Sequence, residues 1–186
     1  MQNPQPMQYF GSTSTAPSGV SNVAPTGQTW VQGDASQRLQ SFGTKNDFRI
    51  SSRGTADGQF KTAHGIAVDS SGNVYVADRG NNRIQVFDND GNYKSSITSG
   101  GDPEAICISP GAHQYLFSSN SNPANDLDKG GEIYKLELNG TLVGKFGQAG
   151  KGPRDFGSVN AIDCRNPNAL YVAEAGNWRV TKVALH

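Results

Sequence analysis

The sequence lacks most of the features that announce a function directly. No run of about 18 apolar residues is present, so no transmembrane helix is predicted. Cysteine occurs only twice, and no CxxC, HExxH, GxxxxGK[ST] or GxSxG motif is found. Lys plus Arg and Asp plus Glu are balanced at 16 each, so no overall charge favours nucleic acid or an anionic membrane as a partner. These absences exclude a P-loop, a nucleophile elbow and a zincin site.

Charged residues are also absent from the first 33 positions. This stretch has no apolar core segment, so we predict no signal peptide in this chain, and the localisation stays unknown on composition alone. Gln, Pro, Ser, Thr and Gly dominate it instead, which is typical of flexible, poorly packed polypeptide. We therefore predict a flexible low-complexity segment over residues 1–29.

Internal repetition is the strongest signal in the remaining sequence. The stretch "HGIAVDSSGNVYVADRGNNRIQVFD" matches "NAIDCRNPNALYVAEAGNWRVTKVA", which places His64 on Asn160 and Asp78 on Glu174. A weaker copy lies between them, with Glu104 at the position of His64, about 40 residues along. Each copy alternates apolar and polar residues over short segments that turns separate, a pattern typical of strands.

A single copy of this unit would form a small sheet with two apolar faces, and stacking such sheets radially buries both. A superhelical or sandwich arrangement is the alternative, but the blade-length spacing favours a propeller. We therefore predict an all-β, partial β-propeller of about three to four four-stranded blades. The predicted units are a partial blade at 30–58 and blades at 59–100, 101–150 and 151–186.

The pattern over residues 54–93 resembles the NHL repeat family, through "GQF", "HGIAVD", "GNVYVAD" and "NNRIQVFD". The resemblance implies a six-bladed propeller of which this chain matches the C-terminal half. It also implies a scaffold that binds a protein or peptide ligand, and either self-association or a missing N-terminal half. Some NHL domains bind RNA through a basic face; the weak cluster Arg38, Lys45, Arg49 and Arg53 is the only such signal, so nucleic acid is disfavoured as a partner.

Within that family the chain is similar to bacterial propellers grouped with peptidyl-α-hydroxyglycine α-amidating lyase, a carbon–nitrogen lyase. That resemblance implies zinc held by three histidines, with His64 as one metal ligand and Arg79 as a catalytic arginine. Asn160 stands where another histidine is expected, and Ala161 stands where a calcium-binding aspartate is expected, so calcium is not predicted. A zinc-dependent lyase with an incomplete site is therefore the alternative to a non-catalytic module. Relatives of this type are often exported, which implies an extracytoplasmic location.

Each candidate site residue also has a structural interpretation. His64 would then lie at the channel mouth, hydrogen-bonded to backbone or water, and Arg79 would pair with an acid on a neighbouring loop. Glu104, on the intervening blade, is a further candidate carboxylate ligand. The repeated acids Asp78 and Glu174 are predicted to pair with an arginine of their own blade. These pairs, with Arg83 and Arg179, would be scaffold features.

Two further expectations concern the cysteines and the aromatic residues. Cys107 and Cys164 are offset by one position in the repeat, so alternation sends them to opposite sheet faces. We therefore predict two buried free thiols and no disulfide. Trp178 and Tyr171 are predicted to pack between blades, and His113 is predicted to be solvent-exposed.

Overall fold

The computed structural model of the chain describes residues 50, 52–120, 126, 128–166 and 168–185. Eleven strands and one short 3-10 turn are found in these residues. The strands are β1 (Ala63–Val68), β2 (Val74–Asp78), β3 (Arg83–Phe87), β4 (Tyr93–Ile97), β5 (Pro103–Ile108), β6 (Tyr115–Asn120), β7 (Ile133–Glu137), β8 (Leu142–Phe146), β9 (Val159–Asn166), β10 (Ala169–Glu174) and β11 (Arg179–Ala184). The 3-10 turn, Arg79–Asn81, follows β2.

The strands form three antiparallel sheets in chain order. Sheet 1 is β1-β2-β3-β4, sheet 2 is β5-β6-β7-β8, and sheet 3 is β9-β10-β11. Each sheet is a meander, as the turn residues between the apolar segments predict. Its strands are joined by short connections, except for β6 and β7, which residues 121–132 separate. The prediction of an all-β, partial propeller is confirmed. The predicted flexible segment 1–29 and most of the partial blade 30–58 lie outside the described residues, so those boundaries stay predictions.

The core lies between consecutive sheets. Tyr75, Ala77, Ile84 and Val86 of sheet 1 pack against Ile106, Leu116 and Leu136 of sheet 2. A second cluster joins the other face of sheet 2 to sheet 3 through Ala105, Phe117, Ile133, Ile162, Leu170 and Val172. Because side chains alternate between the faces of a strand, sheet 2 has apolar residues on both faces. Burial of each large aliphatic side chain stabilises the stack by about 1.5–3 kcal/mol.

Close approach of the innermost strands requires a glycine in β1. A Cβ atom added at Gly65 would lie 2.7 Å from the backbone oxygen of Glu104 and 3.0 Å from the backbone nitrogen of Ile106. Both atoms belong to β5, which cannot move aside without separating the sheets. Gly65 therefore allows the first strands of two blades to meet, next to the candidate residue His64.

The prediction of two free cysteines is wrong. Cys107 of β5 and Cys164 of β9 form a disulfide, with Cα atoms 6.0 Å apart. The two residues do lie on opposite faces in the repeat, as alternation requires. In stacked blades, however, one face of a sheet meets the opposite face of the next sheet. The one-residue offset therefore brings the sulfur atoms together between sheets 2 and 3.

The expectation that Trp178 and Tyr171 pack between blades is also wrong. Trp178 lies in the turn between β10 and β11 with 94% of its surface exposed, and Tyr171 of β10 is exposed as well. The backbone of Trp178 is left-handed (φ 49°), like that of Asn82 at the same repeat position (φ 52°). The described residues place no further sheet against this side of sheet 3, so no blade covers the two rings.

Candidate functional site

The start of the innermost strands brings the candidate residues of two blades together. His64, the second residue of β1, has its Nε2 atom 3.4 Å from Oε1 of Glu104, the second residue of β5. Arg79, which begins the 3-10 turn after β2, has its Nε atom 3.7 Å from Oε2 of the same carboxylate. Glu104 is nearly buried, whereas about a third of the His64 and Arg79 side chains is exposed. One carboxylate therefore bridges both candidate residues across the blade interface.

Asp102, two residues before Glu104, is a fourth ionisable member of this cluster. Its backbone N–H donates to Oδ1 of Asn120 at 2.8 Å, while its own Oδ1 is buried without a hydrogen-bond partner among the described residues. Burial raises the pKa of the Asp102 carboxyl; nearby Arg79 opposes this rise and the Glu104 carboxylate adds to it. Sequence reasoning missed Asp102, because the residue precedes a strand and matches no functional motif.

We expect Asp102→Asn to raise the melting temperature at neutral pH. A carboxyl whose pKa is raised in the folded state favours folding below its unfolded pKa of 3.8, and this contribution is lost as the pH rises through the folded pKa. At pH 7 the ionised group therefore opposes folding, and asparagine removes that penalty. Thermal unfolding followed by circular dichroism should show a gain of a few degrees at pH 7 that shrinks below pH 3.8. Asp90→Asn, in an exposed turn, is the control, and an equal gain there would contradict the explanation.

The described residues do not fit a catalytic zinc site. Such a site needs three protein ligands and an open position. No group of three His, Cys, Asp or Glu side chains converges as metal ligands in the described part of the chain. His64 faces a carboxylate that also binds Arg79, and Asn160 is an exposed amide on β9. Among the other histidines, His113 is exposed, as predicted, and its Nε2 atom lies 2.8 Å from a carboxylate oxygen of Glu137. His186 lies outside the described residues.

The repeated acids are structural, as the sequence predicts. Asp78, fully buried at the end of β2, accepts hydrogen bonds from the Arg83 Nε atom (3.0 Å) and the Asn81 side chain (2.7 Å). It also accepts from the backbone N–H of Lys61 (3.0 Å) and from the side chain of Gln85 (3.2 Å). The carboxylate thereby ties the segment that leads into sheet 1 to the sheet itself.

Sheet 3 repeats this arrangement around Glu174. Its carboxylate accepts from Arg179 (2.8 Å), Asn177 (2.8 Å), Thr181 (2.6 Å) and the backbone N–H of Gly157 (3.1 Å). Burial disfavours the ionised carboxyl, but these donors outweigh burial and lower the pKa of Glu174. Each of the two buried carboxylates already accepts four hydrogen bonds from its own blade, which is the environment of a structural anchor.

The outer face of sheet 3 is an exposed apolar surface. Val180 is 72% exposed, whereas Ile84, at the same repeat position in sheet 1, is 0% exposed. Tyr171 is likewise exposed where its counterpart Tyr75 is buried. The counterparts in sheet 1 are buried because sheet 2 covers them. Sheet 3 therefore exposes the positions that sheet 2 covers in sheet 1. We call this surface, formed by Ala161, Tyr171, Ala173, Val180 and Lys182, the terminal face.

No helix of the described residues is long and apolar enough to cross a membrane. Of the four basic residues that could mark a nucleic-acid surface, only Arg53 lies within the described part of the chain, where it is exposed. Arg38, Lys45 and Arg49 lie outside it. Within the described residues, the ionisable cluster at the blade starts and the terminal face are the two candidate functional surfaces.

Comparison with known proteins identifies the repeat. Residues 60–87 match the model of the NHL repeat. The chain is 34% identical to the human NHL repeat-containing protein 3 over 110 residues, which cover 54% of this chain and 31% of that protein. It is 25% identical to the protein brain tumor of Drosophila melanogaster over 130 residues, or 67% of this chain and 12% of that protein. The chain thus spans less than a third of the length of either protein.

A solved structure supports the fold. A catalytically inactive variant of virginiamycin B lyase from Staphylococcus aureus superposes with a TM-score of 0.50 over 88% of this chain and 54% of that chain, at 16% identity. At this level of identity, the similarity concerns the fold and not the chemistry.

Proposed function

We propose that this chain, whose residues 60–87 form an NHL repeat, is a non-catalytic propeller module that binds other polypeptides. The observation that carries the proposal is the terminal face, where positions that are buried between sheets 1 and 2 are exposed to solvent. Contiguous exposed apolar surface is characteristic of interaction sites. The exposed indole of Trp178, two residues before Val180, adds a residue type that is enriched at binding hot spots.

The opposite end of the stack offers a complementary surface. Ile66 and Val68 of β1 are 67% and 56% exposed, whereas their repeat counterparts Ile106 and Ile108 pack against sheet 1. The face of sheet 1 that carries Ile66 and Val68 is thus equivalent to the face of sheet 2 that packs against sheet 1. A second copy of the chain could therefore stack its first sheet on the terminal face in the same order as sheet 2 follows sheet 1. Ala161 and Lys182 stand there at the positions of Gly65 and Val86, so the two sheets would lie farther apart than sheets 1 and 2 do. Such a contact is head-to-tail, because it joins different surfaces of the two copies.

We expect the chain to associate with itself in a concentration-dependent manner. Sedimentation equilibrium or light scattering should give a mass that rises above that of one chain as the concentration increases. Val180→Asp should return the mass to that of a single chain, because a carboxylate would be buried without a partner at the interface. Val143→Asp is the matched control: Val143 is also an exposed valine, but it lies on β8 of sheet 2, away from the terminal face.

Two results would overturn this form of association. The wild-type chain could remain a single chain over the whole concentration range, or Val143→Asp could reduce the mass as strongly as Val180→Asp. The first result would exclude head-to-tail stacking. The second would show that any added charge disperses the chain and that the terminal face has no special role.

The amidating-lyase alternative stays a prediction that the geometry does not favour. It requires His64 to bind zinc and Arg79 to bind a substrate carboxylate. Both side chains lie against Glu104, at 3.4 Å and 3.7 Å, so each already has an internal anionic partner. The arrangement is better suited to joining two blades than to binding a substrate.

A further inference from the structure

Sheet 3 differs from the other two sheets at its outer edge. In sheets 1 and 2 the third strand pairs with a fourth, β3 with β4 and β7 with β8. In the described part of the chain, β11 pairs only with β10, so its outer edge has no strand beside it. An unpaired edge presents backbone N–H and C=O groups to which another strand can bind.

A groove runs along this edge, with a volume of about 430 Å³. Phe146, Pro153, Phe156, Val183 and Leu185 supply its apolar lining. Its size falls in the range of ligand pockets, about 300–1,000 Å³. An added strand would therefore gain an apolar contact as well as backbone hydrogen bonds.

Sheet 1 indicates which side chain such a strand should carry. There, Tyr93 of β4 pairs with Phe87 of β3, and the two rings are 6.0 Å apart in an edge-to-face contact. Phe60 contacts the same Phe87 ring from the preceding segment, also at 6.0 Å. The groove at this position of sheet 1 has a volume of only about 160 Å³.

The repeat alignment transfers this arrangement to sheet 3. Phe156 stands at the position of Phe60, and Val183 stands at the position of Phe87. Valine is smaller than phenylalanine, and no described residue takes the place of Tyr93, which accounts for the larger groove. The site should therefore accept an aromatic side chain on an extended backbone.

The charges around the groove restrict the partner further. Arg154 and Lys182 line it, and no aspartate or glutamate is among its described lining residues. Basic groups without lining acids favour a partner with negative charge near the aromatic residue. This edge borders the terminal face and shares Lys182 with it. A strand paired with β11 would extend sheet 3 and not cover its face, so the inference goes beyond the self-association proposed above.

We propose that the outer edge of β11 is a peptide-binding site that takes an extended strand of a partner protein as the fourth strand of sheet 3. The strand runs antiparallel to β11, like β4 and β8 beside their own third strands. It places an aromatic side chain against Val183 and Phe156, with acidic residues near Arg154 and Lys182.

Synthetic peptides test the proposal on the whole 186-residue chain. The probe is a fluorescently labelled peptide with the sequence of residues 88–97, DNDGNYKSSI, which contains the fourth strand of sheet 1 and two acidic residues. Fluorescence anisotropy should show saturable binding. The Tyr93→Ser peptide should bind more weakly because it lacks the ring, and the Ser95→Pro peptide should not bind because proline disrupts strand pairing. A Lys94→Glu peptide should bind more tightly.

The protein variants address the basic residues. Arg154→Glu should weaken binding of the probe by about fivefold, and less at high salt. Lys94→Glu in the protein is the control, because Lys94 lies on β4 of sheet 1. The absence of binding, or equal binding by the proline peptide, would overturn the proposal. An edge covered by another segment of this chain or by a second copy would also leave the peptide unbound, and would overturn it equally.

Discussion

Loss of the Cys107–Cys164 disulfide is expected to lower the free energy of unfolding by about 4 kcal/mol. The two cysteines are 57 residues apart in the sequence, so the bond closes a long loop in the unfolded chain. In the chain-entropy model, a bond that closes a loop of this length stabilises the folded state by about 4 kcal/mol, because it restricts the unfolded chain. The disulfide also cross-links sheets 2 and 3 in addition to the backbone that joins them, and it strengthens an interface otherwise formed by apolar packing.

Urea unfolding with and without a reductant measures this effect. The midpoint for the wild-type chain should fall when the reductant is present. The double variant Cys107→Ala/Cys164→Ala should have the same low urea midpoint with and without the reductant, because it has no bond to reduce. Two free thiols titrated in the denatured but unreduced protein would contradict the bond itself. Equal midpoints for the oxidised and reduced chain would contradict its contribution to stability.

Asp78→Asn is expected to destabilise the chain by about 3–5 kcal/mol, the usual cost of removing one partner of a buried ion pair. Asp78 is fully buried and Arg83 is nearly so. The substitution leaves the Arg83 guanidinium without its anionic partner. It also turns an amide N–H₂ group toward a site where the surrounding atoms donate hydrogen bonds. Denaturant unfolding measures the loss.

Asp88→Asn is a suitable control, because this acid lies in the turn before β4 and its carboxylate is hydrogen-bonded only within that turn. A small loss is expected there, because the carboxylate is exposed to solvent and bonds only to its own turn. The double variant Asp78→Asn/Arg83→Met should be less destabilised than the sum of the single variants, since the two residues interact directly. Additive losses would contradict the role of the pair. Glu174→Gln in sheet 3 should behave like Asp78→Asn, because the same donor positions surround it.

The roles of Asp78 and Glu174 could be predicted because the repeat supplies two independent copies of the same local arrangement. An acid at the end of the second strand and an arginine five residues later face each other across a tight turn, as the pairs Asp78–Arg83 and Glu174–Arg179 do. Contacts of this kind depend on residues close in sequence. The alternation within each strand and the turns between strands are local in the same sense, and they predict the sheets for the same reason.

The contact of Glu104 with His64 and Arg79 was less accessible from the sequence. The alignment places Glu104 at the repeat position of His64, but equivalence in a repeat does not establish contact. The contact exists because the innermost strands of adjacent blades approach closely at Gly65. The buried oxygen of Asp102 depends on the same packing, and no motif in the sequence indicates it.

The sequence by itself determined the class of fold, the strands and the acid–arginine pairs within blades, because these follow from alternation, turns and neighbours a few residues apart. Only the tertiary structure decided the contacts between blades. It placed the opposite faces of Cys107 and Cys164 against each other, joined His64 and Arg79 through Glu104, and left Trp178 and Val180 exposed. Contacts between blades depend on which face of one sheet meets the next sheet. The way the sheets stack decides this, and the strand pattern within a single sheet does not.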